Sequence, residues 1–290
     1  MRNLEGKVAF ITGGASGIGF GMARAFLEEG MKVVIADYNP AHLAAAAETL
    51  AGSNAAHFLT VDVSDRAQLR AAADKAIEVF GKIHVLCNNA GVGGGGNADD
   101  PDFEEWDRAL STNLGGVVNG TKIIVPLIKA HGEGGHIVNT SSMAGMVPLP
   151  GMGAYSTAKY AVRGFTESLR MQLAPEGIGV SCLYPGATRT ALLDIPDDLT
   201  TAPDDFTYKL WEALQAAMEP IELGRRVVEC IKENRFHILT HREFLDEVID
   251  RHRTIQDSFW EDEEISAARQ TFETLRRETA DRLLAMDARD

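Results

Sequence analysis

Residues 7–37 constrain the fold of this chain more than any other stretch. Lys7-Val8-Ala9-Phe10-Ile11-Thr12 is an apolar run too short for a helix, and it runs directly into Gly13-Gly14-Ala15-Ser16-Gly17-Ile18-Gly19. Met22, Ala23, Phe26 and Leu27 then recur at helical spacing, which predicts a helix over 18–29. A second apolar run, Met31-Lys32-Val33-Val34-Ile35-Ala36, ends in Asp37. Strand, glycine turn, helix and second strand fit together as a parallel pair with a right-handed crossover, the building block of an α/β sheet. Glycines let the backbone turn tightly and come close to a bound pyrophosphate, whose charge the free N–H groups at the helix start attract. A carboxylate at Asp37 would accept hydrogen bonds from ribose hydroxyls and repel a 2′-phosphate. The other use for Asp37 is to cap the Ala-rich helix that starts near Pro40.

The alternation continues down the chain. A third strand over 57–61 ends in Asp62-Val63, a helix covers 65–80, and a fourth strand over 83–87 ends in Asn88-Asn89-Ala90-Gly91. A long helical pattern over 103–129 contains Asn113 and a glycine pair, locally unfavourable residues that call for a kink or a functional reason. Trp106 in that pattern is assigned to packing. The strand over 136–140 delivers Ser141 and Ser142 to its carboxyl end, and a sixth strand over 179–184 ends in Pro185-Gly186. After the segment 187–220 come a helix over 223–233 and a last strand over 236–240. The expected fold is α/β, a single Rossmann-like doubly wound parallel sheet of about seven strands with helices on both faces. The expected division is a domain over 1–241 and a charged helical C-terminal extension over 242–290.

Tyr155 and Lys159 open the helix after the fifth strand. Residues four apart share a helix face, so the phenol and the ammonium point into one cavity, and a nearby cation favours the phenolate. A hydroxyl from Ser142 could polarise the same substrate oxygen. A formal charge of −14 and a pI near 5.0 argue against nucleic acid or an anionic membrane as partner. No charged-then-apolar leader precedes the first strand and no run is long enough to span a bilayer, so a cytoplasmic location is expected. Cys87, Cys182 and Cys230 are expected as free thiols, mostly buried. The eight histidines show no metal spacing, and no metal is assigned.

Gly13, Gly17, Gly19, Asp37, Asp62, Asn88-Asn89-Ala90-Gly91, Asn113, Ser142, Tyr155-x-x-x-Lys159 and Pro185-Gly186 occur in the order found in short-chain dehydrogenases/reductases. The chain resembles that family over roughly residues 4–240. The resemblance implies that Tyr155 is the general acid/base and that Ser142, rather than Ser141, orients the carbonyl or alcohol oxygen. Lys159 would bind the nicotinamide ribose and lower the pKa of Tyr155, and Asn113 would support a proton relay through water. It also implies NAD as cofactor, held by Gly13, Ser16, Gly17, Ile18, Gly19, Asp37, Asp62, Val63, Asn89, Ala90, Gly91, Tyr155, Lys159, Thr188 and Thr190. The runs 14–21, 113–120 and 154–170, together with the tail, look like bacterial dehydrogenases that oxidise the benzylic alcohol of lignin-type β-aryl ethers. Hydroxysteroid and other short-chain alcohol dehydrogenases share similar runs, so the alcohol stays open at this point.

Two expectations concern partners. Leu192, Leu193, Ile195, Leu199, Phe206, Leu210, Trp211, Leu214 and Met218 could wall a pocket for a bulky, uncharged small molecule, with Met143, Met146, Val147, Leu149 and Met152 adding a flexible apolar side. Arg189 is the only arginine in 187–220, and its place beside the nicotinamide segment argues against a role in holding a substrate carboxylate. Phe244, Leu245, Val248 and Ile249, and then Ile265, Ala268, Phe272 and Leu275, recur at helical spacing in the tail. Such stripes need a surface to bury them, which points to a homodimer or homotetramer.

Overall fold

The computed structural model describes residues 1–94, 98–99, 103–190, 216–260 and 264–286. Seven parallel strands form one sheet in the order β3-β2-β1-β4-β5-β6-β7. They are β1 Val8–Thr12, β2 Lys32–Asp37, β3 Ala56–Thr60, β4 Val85–Asn88, β5 Gly135–Thr140, β6 Ile178–Tyr184 and β7 His237–Leu239. The order reverses at β1, so the loops after β1 and β4 leave in opposite directions and open a crevice between them.

Strand alternation splits the core in two. Ala9, Ile11, Val33 and Ile35 point to one face, where α1 (Gly17–Glu28), α2 (Pro40–Thr49) and α7 (Pro220–Lys232) cover them. Val8, Phe10, Val34 and Ala36 point to the other, under α3 (Arg66–Phe80), α5 (Gly116–His131) and α6 (Gly153–Leu173). A sheet buried on both faces reads in sequence as continuous apolar runs. The side chain of Asn39 caps α2, and that of Asp65 caps α3. α1 and α7 meet backbone to backbone: a Cβ on Gly21 would lie 2.1 Å from the Pro220 carbonyl oxygen, and one on Gly224 would lie 2.4 Å from that of Gly21.

The long helix read over 103–129 is α4 (Phe103–Leu110), a π turn (Ser111–Gly115) and α5. The irregularity signalled by Asn113 and the glycine pair is this π turn. Trp106 is half-buried. In the tail, α8 (Leu245–Gln256) and α9 (Ala267–Met286) follow a short 3-10 turn, Arg242–Phe244. Cys87, Cys182 and Cys230 are free thiols, the first two buried and the third half-buried. Among the described residues no helix is long and apolar enough to cross a membrane.

Candidate active site

The carboxyl ends of the central strands enclose a cleft of about 610 Å³. Gly13, Ser16, Gly17 and Ile18 line it from the glycine turn, and Asp37 from the end of β2. Asp62 and Val63 enter after β3, Asn89, Ala90 and Gly91 after β4, and Thr188 and Thr190 after β6. Ser142, Tyr155 and Lys159 complete it. The turn is built for close approach. Gly13 and Gly17 have φ of 59° and 48°, and a Cβ on Gly13 would stand 2.8 Å from Ala90 Cα.

Two side chains stitch this cradle together. Thr12 Oγ1 accepts the N–H groups of Asn89 and Ala90 at 2.9 and 3.1 Å. Asn89 Nδ2 donates to the carbonyls of Thr12 and Gly13, both at 3.2 Å, while its Oδ1 accepts from Thr140 Oγ1 at 3.3 Å. Asp37 is buried and fixed, with Oδ2 accepting from Ala15 N at 3.1 Å and Oδ1 from Asn39 N at 3.0 Å. The helix cap near Pro40 is therefore Asn39, and the Asp37 carboxylate belongs to the glycine turn.

The chemistry sits at the other end. The Ser142 hydroxyl accepts from Ala144 N at 3.1 Å, and it faces the same cleft as the Tyr155 phenol, whose pKa it lowers. Ser141 donates instead to the Lys159 carbonyl at 2.7 Å, tying β5 to α6. Lys159 Nζ lies 5.5 Å from the Tyr155 ring centroid and donates to the Thr140 carbonyl at 3.0 Å. Burial raises the Tyr155 phenol above its ordinary value, and the Ser142 hydroxyl only partly opposes this. Burial likewise lowers Lys159, to about 8. The sequence reading, in which Lys159 alone pulls the phenol down, thus meets an opposing effect: the enclosure that brings the pair together also disfavours the charged form of each.

An unfolded lysine keeps its proton up to its ordinary value of 10.5, whereas the folded one releases it near 8. Between those values the unfolded state binds more protons, so stability rises with pH at about 1.4 kcal/mol per unit from this group. Melting of the wild type relative to Lys159→Met over pH 7.5–10 measures it, and parallel curves would show that the amine is not held in a low-dielectric site.

Two predicted site residues stand elsewhere. Gly19 does not line the cleft, because it packs under it: a Cβ there would lie 2.0 Å from the Gly13 carbonyl oxygen. Asn113 is fully buried; its Oδ1 accepts from Val92 N at 2.8 Å and its Nδ2 donates to Val92 O at 3.0 Å. Its side chain thereby fixes the Gly91–Val92 backbone, which leaves only its main chain for a relay. Met143, Met146 and Met152 do not wall the cleft. Met143 and Val147 are buried, Met143 in a cluster with Cys182 and Tyr184, while Met146 and Leu149 face a separate groove between α6 and α8. Of the lid residues only Met218 is described; the other eight lie outside the described residues. Met218 pairs with the strand end, donating to Ala187 O at 3.1 Å and accepting from Arg189 N at 3.0 Å. Arg189 pairs with Glu219 at 3.2 Å.

Sequence reasoning missed Tyr38, His42, Arg108 and Thr112, all of which line the cleft. Arg108 contacts Gly93 O at 3.1 Å and Glu105. It also missed, among the described residues, one cluster with metal-like composition at the amino ends of β4 and β5, His84, His131 and Glu133. Each ring nitrogen there already has a partner: Val8 N and Glu133 for His84, Ile83 O and Glu133 N for His131. Lys7 and Lys82 also bind Glu133, so the cluster is a satisfied ion-pair network.

Comparison with known proteins agrees with this geometry. The family described as short chain dehydrogenase matches residues 7–197. A 3-alpha-(or 20-beta)-hydroxysteroid dehydrogenase of Mycobacterium tuberculosis is 39% identical over 226 residues, which covers 78% of this chain and 82% of that protein. A C alpha-dehydrogenase of Sphingobium is 32% identical over 268 residues, covering 89% and 88%. The crystal structure of a short chain dehydrogenase/reductase from Burkholderia phymatum in complex with NAD superposes with a TM-score of 0.81 at 36% identity, covering 92% of this chain and 100% of that one. With the glycine cradle, the buried acid after β2 and the serine, tyrosine and lysine in one cleft, the chain belongs to the short-chain dehydrogenase family of oxidoreductases.

Proposed function

We propose that the protein is an NAD-dependent dehydrogenase that interconverts a bulky, largely uncharged secondary alcohol and its ketone. The observation that carries this reading is the single cleft in which the Ser142–Tyr155 hydroxyl pair and the Lys159 amine face the same space as the glycine cradle and Asp37. The cradle fits a dinucleotide, since Gly13, Ser16, Gly17 and Ile18 face the open cleft at the start of α1, where backbone N–H groups attract a pyrophosphate. A dinucleotide held by the glycine cradle, Asp37 and Lys159 would supply the hydride acceptor. Ser142 orients the alcohol oxygen toward the phenol, and Tyr155 takes the hydroxyl proton as hydride leaves carbon. Lys159, mostly protonated at neutral pH, favours the phenolate this requires.

Asp37 sets the cofactor preference. A second acceptor next to a carboxylate already fixed by Ala15 and Asn39 would be a phosphate against a buried negative charge, so NAD is preferred over NADP. Resemblance to the hydroxysteroid dehydrogenase and the C alpha-dehydrogenase supports a large alcohol, with a lignin-type benzylic alcohol as one candidate. One experiment tests both halves: kcat/KM with NAD and NADP for 1-phenylethanol-type and larger aryl or alicyclic alcohols against lactate. Preference for lactate would end the substrate reading, and equal use of the two cofactors the role of Asp37.

The tail supports a homodimer or homotetramer. Phe244 and Val248 pack on the Met143–Cys182–Tyr184 cluster of their own subunit. Trp260 is 83% exposed, Phe272 71% and Leu275 59%. Large apolar side chains in one segment are best covered by a second copy of the chain. Sedimentation at micromolar protein is expected to give a dimer or tetramer that Phe272→Asp with Leu275→Asp weakens; a monomeric wild type would refute it.

A further inference from the structure

We infer that His241 is a positioning residue for the cofactor, clamping from behind the turn that closes the nicotinamide end of the cleft. The inference rests on the dinucleotide reading above. Pro185, Gly186 and Thr188 line the cleft after β6. His241 holds this turn from the far side with both ring nitrogens. Nδ1 accepts from Gly186 N at 2.9 Å, and Nε2 lies 2.9 Å from the Ala187 carbonyl oxygen. Because the Gly186 N–H can only donate, Nδ1 must present a lone pair, so the ring is the neutral tautomer with its proton on Nε2, donating to Ala187 O.

The clamp is itself braced. Thr240 Oγ1 lies 2.7 Å from His241 Nδ1, and Arg226 on α7 donates to the Thr240 carbonyl at 2.5 Å. His241 is buried. The fit is tight enough to dictate the residue at 186: a Cβ there would stand 2.7 Å from His241 Cγ and 3.0 Å from Phe244 Cε2. A ring that bonds the peptide groups before Gly186 and after Ala187 fixes the turn between them as a single bond would not. Thr188, two residues on, takes its place in the cleft from that orientation, with Oγ1 donating to Gly186 O at 3.3 Å. The last residue before the C-terminal extension thus acts on the cofactor without touching it.

The test is a set of substitutions at 241 read by NADH titration and steady-state kinetics. His241→Leu keeps roughly the volume and removes both bonds. It is expected to weaken NADH binding and raise KM for NAD about tenfold, while KM for the alcohol at saturating NAD stays within twofold. His241→Asn keeps an acceptor near Nδ1 and His241→Gln a donor near Nε2, so each is expected to recover about threefold of that loss. NADH affinity within twofold of wild type in His241→Leu overturns the inference, as does an equal rise in both KM values that neither Asn nor Gln improves. If His241→Leu does not fold by circular dichroism, the Asn and Gln variants decide: about threefold weaker NADH binding in each supports the clamp, and wild-type binding in both overturns it. A wild-type protein that binds no NADH overturns the dinucleotide reading, and this inference with it.

Discussion

Tyr155→Phe is expected to lower kcat by ~10²–10⁴-fold, the range that a lost general acid/base covers, while NADH binds as tightly as to the wild type. The substitution removes one oxygen and leaves the ring and α6 in place. Ser142 keeps its bond from Ala144 N, so the serine does not lose its anchor. Because burial holds the phenol above its ordinary value, oxidation by the wild type should rise toward alkaline pH, and the residual activity of the variant should lack that rise. Lys159→Met behaves differently, because the amine also carries the Thr140 contact at the cleft wall; both kcat and cofactor binding should fall. A deuterium isotope effect on the alcohol shows whether chemistry limits the rate. Wild-type kcat in Tyr155→Phe under that condition would refute the proton path.

Gly19→Ala is expected to be the most damaging single methyl group in the glycine turn. Its Cβ would sit 2.0 Å from the Gly13 carbonyl oxygen and 2.7 Å from Asn89 Nδ2, and those two atoms are bonded to each other. Neither neighbour is the far end of a flexible side chain. One is backbone, and the other is held to Thr12 and Thr140 as well. Overpacking of this kind costs ~1–3 kcal/mol or more, which lowers Tm by roughly 2–4 °C per kcal/mol in a chain of this size. NADH binding should be lost with it, since relief of the clash moves the cradle. Gly164→Ala is the control: it lies in α6, nothing stands within 4 Å of the added methyl, and helix propensity favours alanine there. Equal melting temperatures for Gly19→Ala and wild type would show that the turn is looser than the geometry requires.

The strands were legible because a sheet covered on both faces spells each of them as a short unbroken apolar run, and their ends moved by only one or two residues. Ser142, Tyr155, Lys159 and the cradle were legible because spacing along strand ends and helix turns suffices to bring them together. What spacing does not encode is orientation and depth. Met143 and Val147 are as apolar as any pocket wall, and only the packing of β6 and the tail decides that they turn into the core. Asn113 is visibly odd in a helix, yet its bond to Val92 spans a loop whose path the sequence does not state. Burial of Tyr155 and Lys159, which sets their protonation, depends on everything around them. Thr12 and His241 gave no signal at all, because a threonine ending a strand and a histidine after one are ordinary until their partners are in view.

The π turn at Ser111–Gly115 works as a phase shifter in an otherwise continuous rod. One extra residue in a turn rotates all that follows by about 100° relative to what precedes it. Three neighbouring positions can then serve three directions: Thr112 toward the cleft, Asn113 onto Val92, and Gly116 onto Val63, where a Cβ would stand 2.6 Å from Cγ2. The stretch from Phe103 to His131 is for this reason sensitive to length before it is sensitive to composition. Deleting a single residue at the π turn would restore an ordinary helix and swing all three contacts out of register together.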